Sequence, residues 1–304
     1  MLSERRYNPP GVNLKGYLQK RRKAIDRALD RFLPKENTRP ATIHKAMRYS
    51  LLAGGKRLRP ILCLAAAEAC GGGIDHALPL ACAMECIHTY SLVHDDLPSM
   101  DNDDFRRGRP TCHKVFGEGI AVLAGDALLT IAFEIVSRAK PPRRYDMSIF
   151  LREVAVAAGS QKLIAGQVAD LEAEGKNAGR EELRYIHENK TAAILTTSVR
   201  LGAMSANANA KQLEAITDFG RCLGLAFQVI DDILDVTQTS EKLGKSAGKD
   251  VAAKKATYPA VIGLEKSRTE ARRLTRQAHR ALSIFRTKGD ALRALANYLL
   301  EREY

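Results

Sequence analysis

The chain has 304 residues, of which 45% are hydrophobic, so it can bury a core large enough for one sizeable domain or two ordinary ones. This composition excludes a disordered tail and a small protein held together by disulfides. Lys and Arg number 48 against 35 Asp and Glu, and the resulting formal net charge of +13 indicates an anionic substrate or partner.

The periodicity of apolar residues predicts an all-α fold. Apolar residues recur at intervals of three and four along nearly the whole sequence, and alternating β-branched runs are almost absent. The predicted helices, bounded by Gly, Pro or polar clusters, cover 13–33, 42–53, 58–69, 75–94, 120–138, 147–171, 180–188, 191–201, 211–236, 258–287 and a last segment from 290. No repeat or long Gly/Ser linker divides them, so 1–304 is predicted to be a single domain.

The sequence predicts neither a membrane span nor a secretion signal. Charges such as Glu68, Asp126 and Arg200 interrupt the most apolar stretches before they reach the ~18 residues that a span needs. The first ten residues carry charges and a Pro pair but no apolar block. A cytoplasmic location is therefore expected.

Several classes of binding protein are also disfavoured. Aromatic residues make up only 6% of the chain and Trp is absent, so nucleic-acid binding is not expected. A P-loop needs a Gly five residues before Gly244, where Thr239 stands. The cysteines lie mostly among Ala, Leu and Ile, which is typical of buried thiols, and Cys82 and Cys86 lack a second pair at zinc-finger spacing.

Acidic residues crowd the end of the predicted helix 75–94, where the sequence HDDLPSMDNDD occupies 94–104. Carboxylates so close raise one another's pKa unless a cation neutralises them. Taken alone, the segment is also compatible with a solvated acidic loop.

A second acidic cluster lies inside a predicted helix. Asp231, Asp232 and Asp235 follow Gln228 by three, four and seven positions, so all four lie on one helix face. Their neighbours are apolar, and unpaired charge in a buried helix costs several kcal/mol. A metal ion or a basic ligand group is the simplest compensation.

The two clusters together favour magnesium bound with a phosphorylated ligand. All the donors are hard oxygens, and Mg²⁺ completes its octahedron with water and substrate phosphates. A calcium loop is a poor match because Arg106 stands where the sixth position requires Gly. Basic residues flank both clusters, as a diphosphate site needs: they are GGKRLRP at 54–60, Arg106, Arg107, Lys245, Lys249, Lys254 and Lys255.

In their order and combination these motifs resemble the trans-polyprenyl diphosphate synthases, most closely the bacterial-type farnesyl diphosphate synthases. The matching segments are 54–60, 95–101, 106–108, 125–126, 166–170, 190–191, 231–235 and Lys245. The resemblance implies an isoprenoid-synthase helical bundle around a deep cavity, usually in a homodimer. Its substrates would be isopentenyl diphosphate and an allylic diphosphate, which fits the excess of basic residues.

The resemblance also implies roles for individual residues. About three Mg²⁺ ions would be held by Asp95, Asp96, Asp101, Asp231 and Asp235. The allylic diphosphate would be bound by Arg106, Lys190, Lys245 and Lys255, and isopentenyl diphosphate by Gly55, Lys56, Arg59, His88 and Arg107. Dipoles facing the developing carbocation would come from the Lys190 carbonyl, Thr191 and Gln228.

His88 taken alone is typical of a core histidine, but it precedes Asp95 by seven residues and so lies only about 20° away around the helix. His94 and His113 lack such support and are expected to be structural.

Product length is inferred from Tyr90, which precedes Asp95 by five residues, and from the small Ser91 beside it. In the resembled family a bulky residue at this position closes the floor of the product cavity. Together with the two extra residues between Asp96 and Asp101, it predicts a farnesyl product, whereas Met or a small residue would indicate a geranylgeranyl synthase. The alternative is that Tyr90 only packs.

Other activities fit the sequence less well. A terpene cyclase has no use for a second diphosphate pocket such as Lys56, Arg59 and Arg107. A non-catalytic partner subunit is expected to have lost metal carboxylates, and all of them are present here. The sequence ends without the basic tail of many relatives, which would leave closure of the site to Arg302 or Lys255.

Overall fold

The computed structural model describes residues 12–176, 179–237 and 257–300. The helices are α1 (Leu14–Phe32), α2 (Ala41–Leu51), α3 (Leu58–Ala69), α4 (Ile74–Asp95), α5 (Cys112–Phe116), α6 (Glu118–Ser137), α7 (Met147–Ala158), α8 (Leu163–Ala173), α9 (Arg180–Ile186), α10 (Ala193–Ser205), α11 (Ala210–Thr237), α12 (Tyr258–Ile262), α13 (Leu264–Ala281) and α14 (Asp290–Leu300). A π-helical segment, His187–Ala192, joins α9 to α10, and a 3₁₀ segment, Leu282–Gly289, joins α13 to α14. Two short antiparallel strands, β1 (Phe105–Arg106) and β2 (Arg109–Pro110), complete the described chain. The all-α prediction is confirmed.

Helix α4 is the central helix of the bundle. It packs against α3, α6 and α10, and its buried residues lie on every side of it rather than on one stripe. A helix that is apolar all round is one that other helices surround. The first acidic cluster therefore begins at the end of a buried, well-supported helix.

Glycines allow close approach where helices meet the π-helical segment. A Cβ added at Gly166 of α8 would lie 2.2 Å from the backbone nitrogen of Lys190, and one at Gly224 of α11 would lie 2.6 Å from the Cα of Ala192. These contacts are too short for any larger side chain. Both glycines thus bring α8 and α11 directly against the segment that carries Lys190 and Thr191.

Three predicted boundaries are corrected by the structure. The predicted helix 147–171 is two helices, because the chain turns away from helical geometry at Gly159. The predicted helix 258–287 is interrupted at Gly263, whose φ of 84° is left-handed, and it ends in the 3₁₀ segment. The segment after Asp95, predicted as a loop, contains the β1–β2 hairpin and α5. Apolar periodicity does not register a short break between two helices when apolar residues continue across it.

The six cysteines are all free thiols. Five of them are buried and Cys70 is half-buried, which confirms the prediction that they pack in the core. Burial raises the pKa of the Cys63, Cys82 and Cys86 thiols, so they are held in the protonated form.

Helix α6 is, by length and composition alone, apolar enough to cross a membrane, and it is the one such helix in the described ranges. Here it packs along α4 and buries Ala121, Leu128 and Ile135 among other residues, while Asp126 interrupts its middle. A core helix meets the same criterion, so this is weak support for a span. The expectation of no membrane span stays a prediction.

Replacing Gly202 by Ala is expected to destabilise the bundle. The added Cβ would lie 1.9 Å from the carbonyl oxygen of Cys63, where α10 crosses α3. The helices must separate to relieve this overlap, at a cost of about 1–3 kcal/mol of unfolding free energy measured in urea. The control is Gly119→Ala in α6, where no atom lies within 4 Å of the added Cβ. That variant should gain up to about 1 kcal/mol, and an equal loss in both variants would contradict the argument.

Candidate active site

The loop after α4 folds back so that Asp101 returns to Asp95. The backbone N–H of Asp101 donates to the Asp95 carbonyl oxygen (2.8 Å), and Asn102 adopts a left-handed φ of 48°. The pKa of Asp95 is raised to about 6, chiefly by burial; the charge of Lys190 opposes this shift, and the charges of Asp101 and Asp96 contribute to it. The negative charge of Asp95 is therefore disfavoured in the protein alone.

Asp96 forms an ion pair with Arg106 of β1. Its carboxylate is 3% exposed and accepts from the Arg106 Nε at 2.7 and 2.9 Å, and from Nη2 at 2.5 Å. Burial raises the pKa of Asp96, while Arg106 opposes that shift. A predicted metal ligand and a predicted diphosphate ligand thus contact each other here, and Asp96 orients Arg106. Metal binding by Asp96 stays a prediction.

In the second acidic cluster, Asp232 has a structural role. Asp232 is buried, and its oxygens accept from the backbone N–H of Tyr258 (2.9 Å) and the Gln228 side-chain amide (3.2 Å). The ring of His187 stacks on Tyr258 and lies 3.6 Å from Asp232. Asp232 therefore ties α11 to the start of α12. The same helix carries Asp231 and Asp235, one position before and three after.

Two predicted diphosphate ligands, Lys245 and Lys255, lie outside the described residues, as does Arg302. Asp232 accepts the hydrogen bond from Tyr258, which follows the segment that contains both lysines. Their contribution to the site stays a prediction.

The π-helical segment presents Lys190 and Thr191 to the same region. The Lys190 ammonium forms an ion pair with Asp170 of α8 (2.6 Å), and the Thr191 hydroxyl donates to the side-chain amide oxygen of Gln228 (3.0 Å). Lys190 is also near enough to lower the pKa of Asp95. π-Helical turns are frequent at functional sites, and this one connects α8 and α11 with the end of α4.

The loop between α2 and α3 gathers the second group of cations. Gly54, Gly55 and Arg57 have φ values of 84°, 122° and 51°. Arg107 donates to the Gly54 carbonyl oxygen, and its guanidinium occupies the space where a Gly55 Cβ would stand, 2.7 Å away. Only glycine fits this approach. Lys56, in the same loop, is exposed.

Arg59 connects this loop to the second acidic cluster. Burial lowers the pKa of Arg59 to about 10 against the opposing charge of Glu85, and Arg107 and Asp231 lie close enough to contribute with opposite signs. Its Nε is buried and has no hydrogen-bond partner among the described residues. A buried donor without a partner is costly, and an anionic ligand would relieve that cost.

His88 lies beside the same arginines. Burial lowers its pKa well below the usual range, and the charges of Arg59 and Arg107 add to the shift. His88 is therefore a neutral imidazole, which can serve as a hydrogen-bonding group rather than as a cation.

Tyr90 links α4 to the end of α7. Its side chain is 6% exposed, its hydroxyl donates to the Ala158 carbonyl oxygen (3.4 Å), and its ring meets His94 edge-on at 5.8 Å. His94 in turn contacts α6, where a Cβ at Gly125 would overlap it, and it is structural as expected. The Ser91 hydroxyl is turned toward its own helix, to the His88 carbonyl oxygen. These contacts place Tyr90 in the core of the bundle, against the end of α7.

Several residues of the site were not assigned from the sequence. They are Asp170, which pairs with Lys190, His187 and Asp232, which hold Tyr258, and the buried pair formed by Arg57 and Glu85. A signal existed for four of them. Asp170, Asp232 and Arg57 lie within matching motifs, and Glu85 is the one charged residue in the otherwise apolar run 77–87.

The carboxylates fit magnesium held jointly with a phosphorylated ligand. Among the described residues, no three Asp, Glu, His or Cys side chains are close enough to hold a metal ion by themselves. Mg²⁺ needs only one or two protein carboxylates when phosphate oxygens and water complete its coordination. The raised pKa of Asp95 is the feature that a divalent cation would reverse.

Replacing Asp95 by Asn is expected to stabilise the metal-free protein at pH 8 but much less at pH 4. An acid whose folded-state pKa is raised binds more protons when folded, so its charge destabilises the fold as pH rises from about 4 through 6. The gain at pH 8 is at most about 3 kcal/mol, since each pKa unit equals about 1.4 kcal/mol. Thermal unfolding would measure it, with Asp218→Asn on the exposed side of α11 as control. A pH-independent loss would show that Asp95 is compensated within the protein.

Comparison with known proteins identifies the family. The model of the family described as polyprenyl synthetase matches residues 40–294. The chain is 51% identical to a chloroplastic geranylgeranyl pyrophosphate synthase of Catharanthus roseus, over 96% of this chain and 82% of that protein. It is 50% identical to the heterodimeric geranylgeranyl pyrophosphate synthase large subunit 1 of Arabidopsis thaliana, over 98% and 82%. The solved structure of an FPP/GFPP synthase from Zymomonas mobilis superposes with a TM-score of 0.82 at 36% identity, covering 95% of this chain and 99% of that one. The chain therefore belongs to the polyprenyl synthetase family and is a trans-prenyltransferase.

Proposed function

We propose that the protein condenses isopentenyl diphosphate head-to-tail with dimethylallyl and then geranyl diphosphate, and that it releases farnesyl diphosphate. The observation that carries this proposal is the pairing of two acidic clusters with two separate groups of cations. Lys190 and Arg106 accompany the acids of α4, while Arg59 and Arg107 lie together at the start of α3, with Lys56 three residues before Arg59. A reaction that joins two diphosphate esters needs two such groups.

In this proposal the allylic diphosphate binds between the ends of α4 and α11. Its Mg²⁺ ions, about three in number, would be held by Asp95, Asp96, Asp101, Asp231 and Asp235. When bound, these ions neutralise the diphosphate and stabilise it as a leaving group. Lys190 and Arg106 contact the same diphosphate, exchanging their present carboxylate partners for phosphate oxygens.

Isopentenyl diphosphate binds at the second group of cations. Lys56 and Arg59 contact its phosphates together with Arg107 and the backbone at Gly55. The neutral His88 supplies a hydrogen bond at the wall of this site. Arg59 lies near Asp231, so the two diphosphates are held side by side.

The reaction follows from this arrangement. The allylic C–O bond breaks heterolytically, and its electron pair leaves with the diphosphate. The double bond of isopentenyl diphosphate attacks the allylic carbocation and forms the new C–C bond. The resulting cation loses a proton to the departing diphosphate, which restores an alkene. Because the Gln228 amide donates to Asp232 and its oxygen accepts from Thr191, the remaining oxygen lone pairs of Thr191 can face the carbocation.

Tyr90 supports a fifteen-carbon product. It is a bulky, buried side chain on α4, five residues before Asp95, and its hydroxyl joins it to the end of α7. A growing chain that runs along α4 would stop against this ring. A twenty-carbon product is the second candidate, because the Catharanthus and Arabidopsis relatives are named geranylgeranyl pyrophosphate synthases.

The first experiment incubates the purified protein with isopentenyl diphosphate, dimethylallyl diphosphate and Mg²⁺, and measures product length by mass spectrometry. We expect a fifteen-carbon diphosphate, and no product when EDTA removes the metal. A twenty-carbon product would keep the chemistry and refute the role of Tyr90. No condensation at all would favour a non-catalytic partner subunit.

Replacing Tyr90 by Ala is expected to lengthen the product to twenty carbons or more, because removing the ring opens space below the allylic site. The matched control is Tyr145→Ala, which also removes a tyrosine bonded to a backbone carbonyl, that of Ala208 at 2.7 Å, away from the acidic clusters. The control should leave product length unchanged. If both variants still release the wild-type product, Tyr90 only packs.

A homodimer and a cytoplasmic location are further parts of the proposal. Large apolar side chains are exposed on α6, α7 and α8, namely Val122, Leu123, Val156, Ile164 and Val168, and a second copy could cover them. Light scattering should give twice the chain mass, and Leu123→Lys should shift that mass toward a monomer. A wild-type monomer would instead suit a chain that assembles with a different subunit, as the name of the Arabidopsis relative describes for that protein.

A further inference from the structure

Arg57 connects three parts of the bundle beneath the α2–α3 loop. Its guanidinium is 2% exposed and donates three hydrogen bonds of 2.8 Å. The acceptors are Asp26 on α1, Glu85 on α4 and the carbonyl oxygen of Leu51 at the end of α2. The side chain therefore fixes the loop from its inner side.

The backbone of Arg57 needs this support. Its φ of 51° is left-handed, a conformation that costs a residue with a Cβ about 1–2 kcal/mol. The residue sits between Lys56 and Arg59, which both belong to the second group of cations. The direction in which these two side chains leave the backbone thus depends on the anchoring of Arg57.

Glu85 supplies the negative charge of this anchor. It is 1% exposed, and its charge acts on Arg57, Arg59 and Arg107, opposing in each the effect of burial on the pKa. Burial disfavours the charged form of Arg57, but Glu85 and then Asp26 outweigh it and raise the pKa. Three guanidinium groups that would otherwise repel one another therefore surround a common buried anion.

We propose that Arg57 and Glu85 are positioning residues for isopentenyl diphosphate: their buried ion pair sets the loop 54–57, and the charge of Glu85 keeps Arg59 and Arg107 together before the substrate binds. Neither side chain needs to touch the diphosphate. The inference rests on the proposed function and adds to it the prediction that this pair acts on one of the two substrates. The allylic substrate meets other cations, Arg106 and Lys190, which have their own carboxylate partners.

The test compares KM for the two substrates in Glu85→Gln and Arg57→Lys. We expect KM for isopentenyl diphosphate to rise roughly tenfold or more, because Arg59 or Arg107, once displaced, loses a hydrogen bond to the diphosphate, and a lost hydrogen bond to a charged group weakens binding by at least that factor. The KM for dimethylallyl diphosphate should stay within about twofold, by the same arithmetic. Asp26→Asn removes the charge of the half-exposed partner of Arg57. It should raise KM for isopentenyl diphosphate by a smaller factor and have little effect on folding. This variant therefore keeps the test decisive if Glu85→Gln does not fold.

The control is a second Arg–Glu ion pair between two helices, away from the cations. Arg200 of α10 donates to Glu153 of α7 at 2.9 and 2.5 Å. Arg200→Lys and Glu153→Gln should lower thermal stability without changing either KM. If the control variants raise KM for isopentenyl diphosphate equally, or if the Arg57 and Glu85 variants raise both KM values together, the pair is only structural and the inference is overturned.

The two proposals fail in different ways. A wild-type protein that condenses nothing refutes the proposed function and this inference with it. A wild-type protein that condenses normally, with variants that keep its KM for isopentenyl diphosphate, refutes the inference alone.

Discussion

The placement of carboxylates at the ends of apolar helices is the constraint on which the rest of the structure depends. Helix α4 is surrounded by other helices, yet it ends in Asp95 and Asp96 and carries Glu85 in its interior. Charge in such surroundings is stable only beside an opposite charge or a hydrogen-bond donor. The positions of the basic residues around the candidate site follow from this requirement.

Each buried acid meets the need for an opposite charge or a hydrogen-bond donor in a different way. Glu85 and Asp96 have guanidinium partners within the protein, whereas the pKa of Asp95, raised to about 6, marks a carboxylate that the protein alone does not satisfy. The first two therefore orient cations, and the third is suited to a metal ion. The same chemical group thus performs different tasks along one helix, and only its partner distinguishes them.

Close helix approach is the second requirement of the site. The π-helical segment can present Lys190 and Thr191 between α8 and α11 because Gly166 and Gly224 leave no side chain in the way. Asp170 and Gln228, from those two helices, then reach the segment and hold its side chains. Backbone packing thereby determines the direction of Lys190 and Thr191.

The sequence by itself determined the helical fold and most of the candidate residues, because apolar periodicity and the crowding of charge are local properties of the chain. Residues distant in sequence, such as Arg57 and Glu85, or Asp232 and Tyr258, meet only in the folded bundle. The tertiary structure therefore decided which acids are paired, where the helix 147–171 divides and how the loop 54–57 is anchored. Periodicity indicates which face of a helix is buried, but the partner of a buried charge depends on which helix packs against that face.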